Sequence, residues 1–196
     1  MIAGQWMAAA TAAIRFNSGA YTNGTGATFT GPGLSRFLGT TLVLTGAGAP
    51  AGLRLEGGTV LPVAGFQGGV ITNLTVHGST LLTTGAVNTV TGSLVASNGS
   101  FSGLLTIAPG GQLILAGGGT KYFVSLRLFN QGTVRWLDGI LQSEYNVPLT
   151  VVTNAGLWLA ETDQLLYYPY GGPQPQFHNT GTFRKSAGAG ATSFNG

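Results

Sequence analysis

Apolar and polar residues alternate with a period of two in short runs along most of the chain. The clearest runs are Leu53–Glu56, Leu113–Leu115, Val124–Leu128 and Val134–Trp136, with glycine, asparagine or proline close to their ends. Alternation of this kind, broken by turn residues, predicts many short β-strands. The segment from Gln5 to Phe16 is the one stretch where the pattern fits a short helix, which would form an N-terminal cap.

A phrase made of Asn, any residue and Gly recurs at regular intervals, at Asn130, Asn154 and Asn179. Weaker copies at Asn73 and Asn98 are separated by the same interval. The longer gap before Asn130 fits one coil with an insertion at positions 116–121. A period of this size is the signature of a repeat architecture. We therefore expect an all-β parallel β-helix (β-solenoid) of roughly eight coils of about 24 residues. It would fill the chain from 1 to 196 as a single domain, with positions 1–16 as the cap.

Stacked coils would pair their backbones at a spacing of about 4.8 Å. Asparagines that recur at the coil period can then form a ladder, because each amide both donates and accepts hydrogen bonds. The predicted ladder contains Asn73, Asn98, Asn130, Asn154 and Asn179. The glycine two positions after Asn130, Asn154 and Asn179 is expected to supply a positive φ at the bend. The alternative is that Asn and Gly are turn residues whose spacing is only loosely constrained.

The composition narrows the classes of function. Charged residues make up only 7% of the chain and cysteine is absent, which excludes disulfides and thiolate metal sites. No apolar run approaches the ~18 residues of a membrane-spanning helix, so we expect no membrane insertion. The net charge of +3 has no basic cluster beyond Arg184-Lys185, which argues against nucleic-acid binding. His77 and His178 are isolated, and we expect no metal and no cofactor.

Carbohydrate chemistry is the enzymatic alternative that the acidic residues allow. Asp138 and Asp163 are one period apart, which could place them on adjacent coils near the carboxylate spacing of a retaining glycosidase. Glu161 lies close to the second of them. Both aspartates occur in turn-like contexts, however, where Asp is expected to cap the backbone. We therefore predict no catalytic residues and no enzymatic activity.

The segment 167–176 contains three tyrosines and three prolines and is the most unusual part of the sequence. Prolines exclude it from a central strand, so a projecting loop is expected. Tyr167, Tyr168 and Tyr170 could bind a sugar ring or a protein surface through their amphipathic rings. The alternative is that Tyr167 and Tyr168 fold back onto the flank of the solenoid.

Several segments together resemble bacterial secreted surface repeats. These are 103–111 (Gly-Leu-Leu-Thr-Ile-Ala-Pro-Gly-Gly), 119–122 (Gly-Thr-Lys-Tyr), 130–136 (Asn-Gln-Gly-Thr-Val-Arg-Trp) and 183–188 (Phe-Arg-Lys-Ser-Ala-Gly). Between Gly92 and Gly196 the chain is similar to filamentous-haemagglutinin-type adhesins and autotransporter passenger regions. This resemblance implies a right-handed parallel β-helix exported from the cell. It supplies no catalytic residue.

The sequence thus favours a non-catalytic extracellular β-solenoid, acting as a surface stalk, an adhesin or a self-associating fibre. Its ends would associate with further copies or with flanking repeats, as in a fragment of a longer repeat protein. A glycan or a host surface is the expected ligand. The alternative is a carbohydrate-active β-helix, a polysaccharide hydrolase or lyase that uses Asp138, Asp163 and Glu161, or a glycan-binding module.

Overall fold

The structure, a computed structural model, describes residues 1–46, 48–83, 87–144, 148–170 and 174–195. It confirms the predicted fold class, because parallel sheets stack as a β-solenoid of about 8 turns with 55% strand and 2% helix. The first strands are β1 (Gln5–Met7), β2 (Ala13–Phe16), β3 (Ala20–Thr22), β4 (Thr28–Thr30), β5 (Leu34–Phe37), β6 (Thr41–Leu44), β7 (Leu53–Leu55) and β8 (Thr59–Pro62). A 3-10 turn at Phe66–Gly69 follows.

The central and C-terminal strands are longer on average. They are β9 (Ile71–Val76), β10 (Thr80–Thr83), β11 (Thr89–Ala96), β12 (Gly99–Ile107), β13 (Gln112–Leu115), β14 (Lys121–Asn130), β15 (Thr133–Trp136), β16 (Leu141–Ser143), β17 (Val151–Asn154), β18 (Leu157–Ala160), β19 (Leu165–Tyr167), β20 (Gln176–Asn179), β21 (Thr182–Lys185) and β22 (Ser193–Asn195).

Each coil has three sides, and corresponding strands of neighbouring coils pair in parallel. In the last two coils β17 pairs with β20, β18 with β21, and β19 with β22. The long strand β14 turns a corner: its first part pairs with β16, and its second part pairs with β17. The corner in β14 is at Ser125, which has a φ of 50°. The outer surface therefore consists of residue columns that run along the solenoid axis.

Alternation along each strand fills the interior with apolar columns. Leu105, Leu128 and Val152 are buried at equivalent positions of successive coils, with Phe177 above them. Trp136 and Trp158 lie on the same side of the solenoid, and both are fully buried. They occupy different columns, so each indole has smaller or narrower neighbours rather than the other indole above or below it. Burial of such side chains is the main stabilising contribution for a fold with few charges.

Coil length varies along the chain while the strand register is kept. Leu42 pairs with Val60 near the N-terminus, and Trp158 pairs with Phe183 near the C-terminus, so one turn of the solenoid takes fewer residues in the first case. The predicted coil of about 24 residues thus describes the C-terminal third, and earlier coils are shorter. The difference lies in the turns, because strand pairing constrains the strands and leaves the connections free to change.

The prediction of an N-terminal helix is wrong. The segment contains β1 and β2, which pair with β4 and β5. A turn separates them, in which the Ala12 N–H donates to the Ala9 carbonyl (3.0 Å) and Thr11 has a φ of 65°. A helix here would leave one edge of β4 and one edge of β5 without the backbone partners that β1 and β2 supply, and that cost outweighs the helix propensity of the alanines.

Candidate functional site

Three of the predicted asparagines form a hydrogen-bonded ladder. Asn130 Nδ2 donates to Asn154 Oδ1, and Asn154 Nδ2 donates to Asn179 Oδ1, both at 2.6 Å. The same amide groups also donate to the carbonyls of Leu157 and Thr182 at 3.1 Å. Asn130 and Asn154 are fully buried and Asn179 is exposed. The ladder therefore ties three successive coils together near one corner of the solenoid.

Asn73 and Asn98 do not belong to this asparagine ladder. Asn73 is an exposed strand residue opposite Ser93, and Asn98 is an exposed residue between β11 and β12. The residue that pairs with Asn130 from the preceding coil is Ile107, so the long gap after Asn98 is not one coil with an insertion. Because isoleucine has no side-chain donor, the buried Asn130 Oδ1 has no hydrogen-bond partner among the described residues.

The glycines of the repeated phrase allow the backbones of neighbouring coils to approach closely, and they do not supply a positive φ. Gly132, Gly156 and Gly181 are not among the glycines with positive φ. A Cβ built on Gly156 would come within 3.0 Å of the Gly132 carbonyl oxygen, and one on Gly181 would approach the Gly156 carbonyl in the same way. The expectation of a left-handed bend at these positions is wrong.

The predicted tyrosine loop is largely attached to the solenoid. Tyr167 belongs to β19 and is exposed, whereas Tyr168 is buried and its ring lies 5.7 Å from that of Tyr170. The Tyr170 hydroxyl donates to Glu144 Oε2 at 2.7 Å, and this hydrogen bond raises the Tyr170 pKa. Residues 171–173 of the predicted loop lie outside the described residues. The three tyrosines thus follow the flank of the last coils.

The candidate catalytic carboxylates are held in structural contacts. Glu161 accepts two hydrogen bonds from Arg135, at 2.7 and 2.9 Å, and these lower its pKa. Lys185 (2.6 Å) and the Gly190 N–H (3.0 Å) lower the pKa of Asp163 in the same way. A general acid of a glycosidase needs the opposite, a raised pKa.

The remaining carboxylates also have partners. Asp138 Oδ1 accepts from the N–H of Gly139 at 2.7 Å, which is the backbone-capping role expected for Asp in a turn. Glu144 accepts from Gln142 (3.0 Å) as well as from Tyr170, and Glu56 forms ion pairs with two arginines described below. All five acidic side chains of the chain therefore take part in contacts that hold the solenoid in place.

Lys121 is a buried cation that sequence reasoning did not single out. Its Nζ donates to the carbonyls of Asp138 (2.6 Å), Gly119 (3.1 Å) and Gly117, and the residue is fully buried. Burial lowers its pKa to about 8, and the nearby Asp138 carboxylate partly offsets that effect. This lysine closes the turns at the corner where β14 begins.

The buried lysine makes stability depend on pH. An unfolded lysine titrates near a pKa of about 10.4, so between pH about 8 and about 10.4 the unfolded chain binds more protons than the folded one. We expect the unfolding free energy, relative to that of K121M, to rise across this window by on the order of 2 kcal/mol. Urea denaturation of both proteins at a series of pH values measures it. A difference that stays flat or falls with pH contradicts the prediction, and the tyrosine titrations cancel because both proteins contain them.

A column of arginines is the main feature that sequence reasoning missed. Arg15 pairs with Arg36, and Arg36 pairs with Arg54, on the side formed by β2, β5 and β7. Alternation turns all three side chains outward. The signal in the sequence is an arginine inside each of three short strands, but the two steps between them are unequal, and both are shorter than the period of the asparagine phrase.

A surface groove continues from this arginine column (Arg15, Arg36 and Arg54) along the axis. It has a volume of about 380 Å³ and is lined by Arg36, Arg54, Glu56, His77, Gly78, Ser97 and Asn98. The backbone N–H of His77 donates to the Leu55 carbonyl, which places His77 on the coil that follows Arg54. Burial and the Arg54 charge lower the His77 pKa. The groove is therefore polar, cationic and open across several coils.

The described ranges contain no group of three His, Cys, Asp or Glu residues that could hold a metal ion. No helix among them is long and apolar enough to span a membrane.

The architecture is a β-solenoid with two notable polar features, the asparagine ladder inside and the arginine column outside. Compared with protein-family models, curated proteins and solved structures, the chain has no significant match.

Proposed function

We propose that the protein is a non-catalytic structural β-solenoid that works outside the cell, as a surface stalk or self-associating fibre with an adhesive outer face. The observation that carries the proposal is the use of polar groups: all five carboxylates and the buried asparagines connect one coil to another or fix a turn. Such a molecule acts through its length, its stiffness and the repeated side chains on its surface.

The carbohydrate-active alternative has less support. Its candidate residues Glu161 and Asp163 each have a lowered pKa and a cationic partner, and Asp138 caps its own turn. The low charge of the chain favours the same conclusion, since polysaccharide-cleaving sites need clustered ionisable groups.

The coil formed by β20, β21 and β22, here called the terminal coil, offers a surface for association. Within the described residues each of these strands pairs with one neighbour only, so one backbone edge of each is open. Phe177, Phe183 and Phe194 lie one on each side, with ring centroids 5.2 to 6.0 Å apart. Open parallel edges around an apolar centre accept a further coil, from flanking sequence or from another copy.

Association at the terminal coil gives a direct test. Phe194 is 49% exposed, and F194D places a charge at the centre of the predicted contact. We expect the unaltered chain to form rods that lengthen as concentration rises, and F194D to stay short, because a carboxylate buried there would have no partner. Electron microscopy and sedimentation velocity measure particle length.

Leu104 supplies the matched control for this experiment. It is 44% exposed but lies on a lateral side, so L104D makes a similar change away from the terminal coil. We expect L104D to assemble like the unaltered chain. Rods that remain one solenoid long at every concentration, or equal loss of assembly in both variants, would contradict association through this end. Circular dichroism confirms that each variant is folded.

A further inference from the structure

The arginine column breaks a rule that sheets normally follow. Like charges directly opposite each other on neighbouring strands destabilise the pairing. Here three guanidinium groups occupy consecutive strands in register, and the single carboxylate beside them is that of Glu56. Uncharged residues could fill these outward-facing positions without that repulsion. Glu56 offsets this repulsion only in part, because one carboxylate faces three guanidinium groups. The remaining positive charge is expected to attract an anionic ligand.

Glu56 shows which anion the column accepts. Its two oxygens are bound separately, Oε2 by Arg36 Nε and Oε1 by Arg54 Nε, the latter at 2.7 Å. Arg36 contacts Glu56 through a hydrogen bond from Nε, and Arg54 contacts it through an ion pair at Nε. No described hydrogen bond uses the terminal guanidinium nitrogens of these two arginines, so these nitrogens can donate to a ligand. Arg15 has no described ion pair or side-chain hydrogen bond, and it lies one coil before Arg36. Carboxylate binding between neighbouring coils is thus already demonstrated once, with donors left over.

The direction of the groove indicates a polymer. Arg36, Arg54, His77 and Ser97 lie on four successive coils along the axis, at a strand spacing of about 4.8 Å, and Asn98 lies beside Ser97. A linear acidic sugar chain that follows this row presents several carboxylates along its length to the arginines, and its hydroxyls can exchange hydrogen bonds with His77, Ser97 and Asn98.

We propose that the arginine column and the adjoining groove bind a uronate-containing acidic polysaccharide lengthwise along the solenoid. The groove has no Phe, Tyr or Trp among its lining residues, so it lacks the stacking platform with which proteins hold single-stranded nucleic acids. This binding adds a ligand to the proposed stalk and does not depend on its self-association. Loss of assembly in F194D therefore leaves it intact.

Affinity electrophoresis and calorimetry with polygalacturonate at low salt test the proposal. We expect R15Q/R54Q to weaken binding about tenfold, because two charge-assisted contacts are lost. E56Q should strengthen binding several-fold, because removing the competing carboxylate releases both guanidinium groups to the ligand. At this site, removing the acidic residue should raise the affinity for polygalacturonate, and removing the arginines should lower it. This pair of opposite effects is specific to the site.

The controls separate the site from general attraction. Arg127 is exposed on another side of the solenoid and has no described ion pair, so R127Q removes one charge away from the site and should leave affinity within about twofold. Its matched comparison is the single variant R54Q, which removes one charge from the column. Fully methyl-esterified polygalacturonate lacks the carboxylates and should not bind. Equal weakening by R127Q, equal binding of the ester, or tighter binding of dextran sulfate or single-stranded DNA would each overturn the proposal. Circular dichroism verifies that R15Q/R54Q and E56Q remain folded.

Discussion

Replacing Gly156 with alanine is expected to lower the unfolding free energy by about 3 kcal/mol or more. A Cβ at this position would lie within 3.0 Å of the Gly132 carbonyl oxygen, a separation that real Cβ atoms essentially never show. That carbonyl also accepts the Leu157 N–H at 2.9 Å, so moving it weakens the coil contact. The neighbouring coils cannot relax independently, because Gly181 approaches the Gly156 carbonyl in the same way.

Gly118 provides the matched control for this substitution. A Cβ there would meet only Asp138 Oδ2, at 3.5 Å, and the residue is not among those with positive φ. G118A is therefore expected to change the unfolding free energy by less than about 0.5 kcal/mol. Urea denaturation of both variants measures the contrast. Similar stabilities for G156A and G118A would show that the coils can separate to admit a methyl group, contrary to the close approach of the backbones.

The sequence was sufficient to predict strands and stacking because both follow from local alternation and a repeat. Leu113, Leu115, Val134 and Trp136 alternate with polar or outward residues, and all four are buried as the pattern predicted. The phrase at Asn130, where the period was nearly constant over two steps, marked a real register. Where these two signals agree, the sequence determines the architecture.

Elsewhere the turns change length, and the sequence then loses the register. Ile107, rather than Asn98, stacks beneath Asn130, because the strand β12 turns a corner that the spacing of asparagines does not reveal. The arginine column was missed for the same reason, since its two unequal steps match no fixed period. The outward columns depend on the pairing of each strand. They can be identified from a sequence only after every turn has been counted.

Substitutions in the asparagine ladder are expected to lower the unfolding free energy, and the size of the loss should depend on the position of the asparagine in the ladder. Asn154 is buried, accepts from Asn130, and donates to Asn179 and to the Thr182 carbonyl. N154L removes all three hydrogen bonds and leaves buried polar atoms without partners, so we expect a loss of about 4 kcal/mol. Chemical denaturation, monitored by tryptophan fluorescence and circular dichroism, measures it.

The two ends of the ladder should respond less, because each lacks one neighbour. Asn130 Oδ1 has no partner among the described residues, so N130L loses only donated hydrogen bonds and should cost about 2 kcal/mol. Asn179 is exposed, and water can replace its contacts, so N179L should cost about 1 kcal/mol. N98A, outside the ladder, should cost less than about 0.5 kcal/mol. If N130L or N179L proved as damaging as N154L, the column would not act as a cooperative ladder, and asparagine would matter only for its local turn.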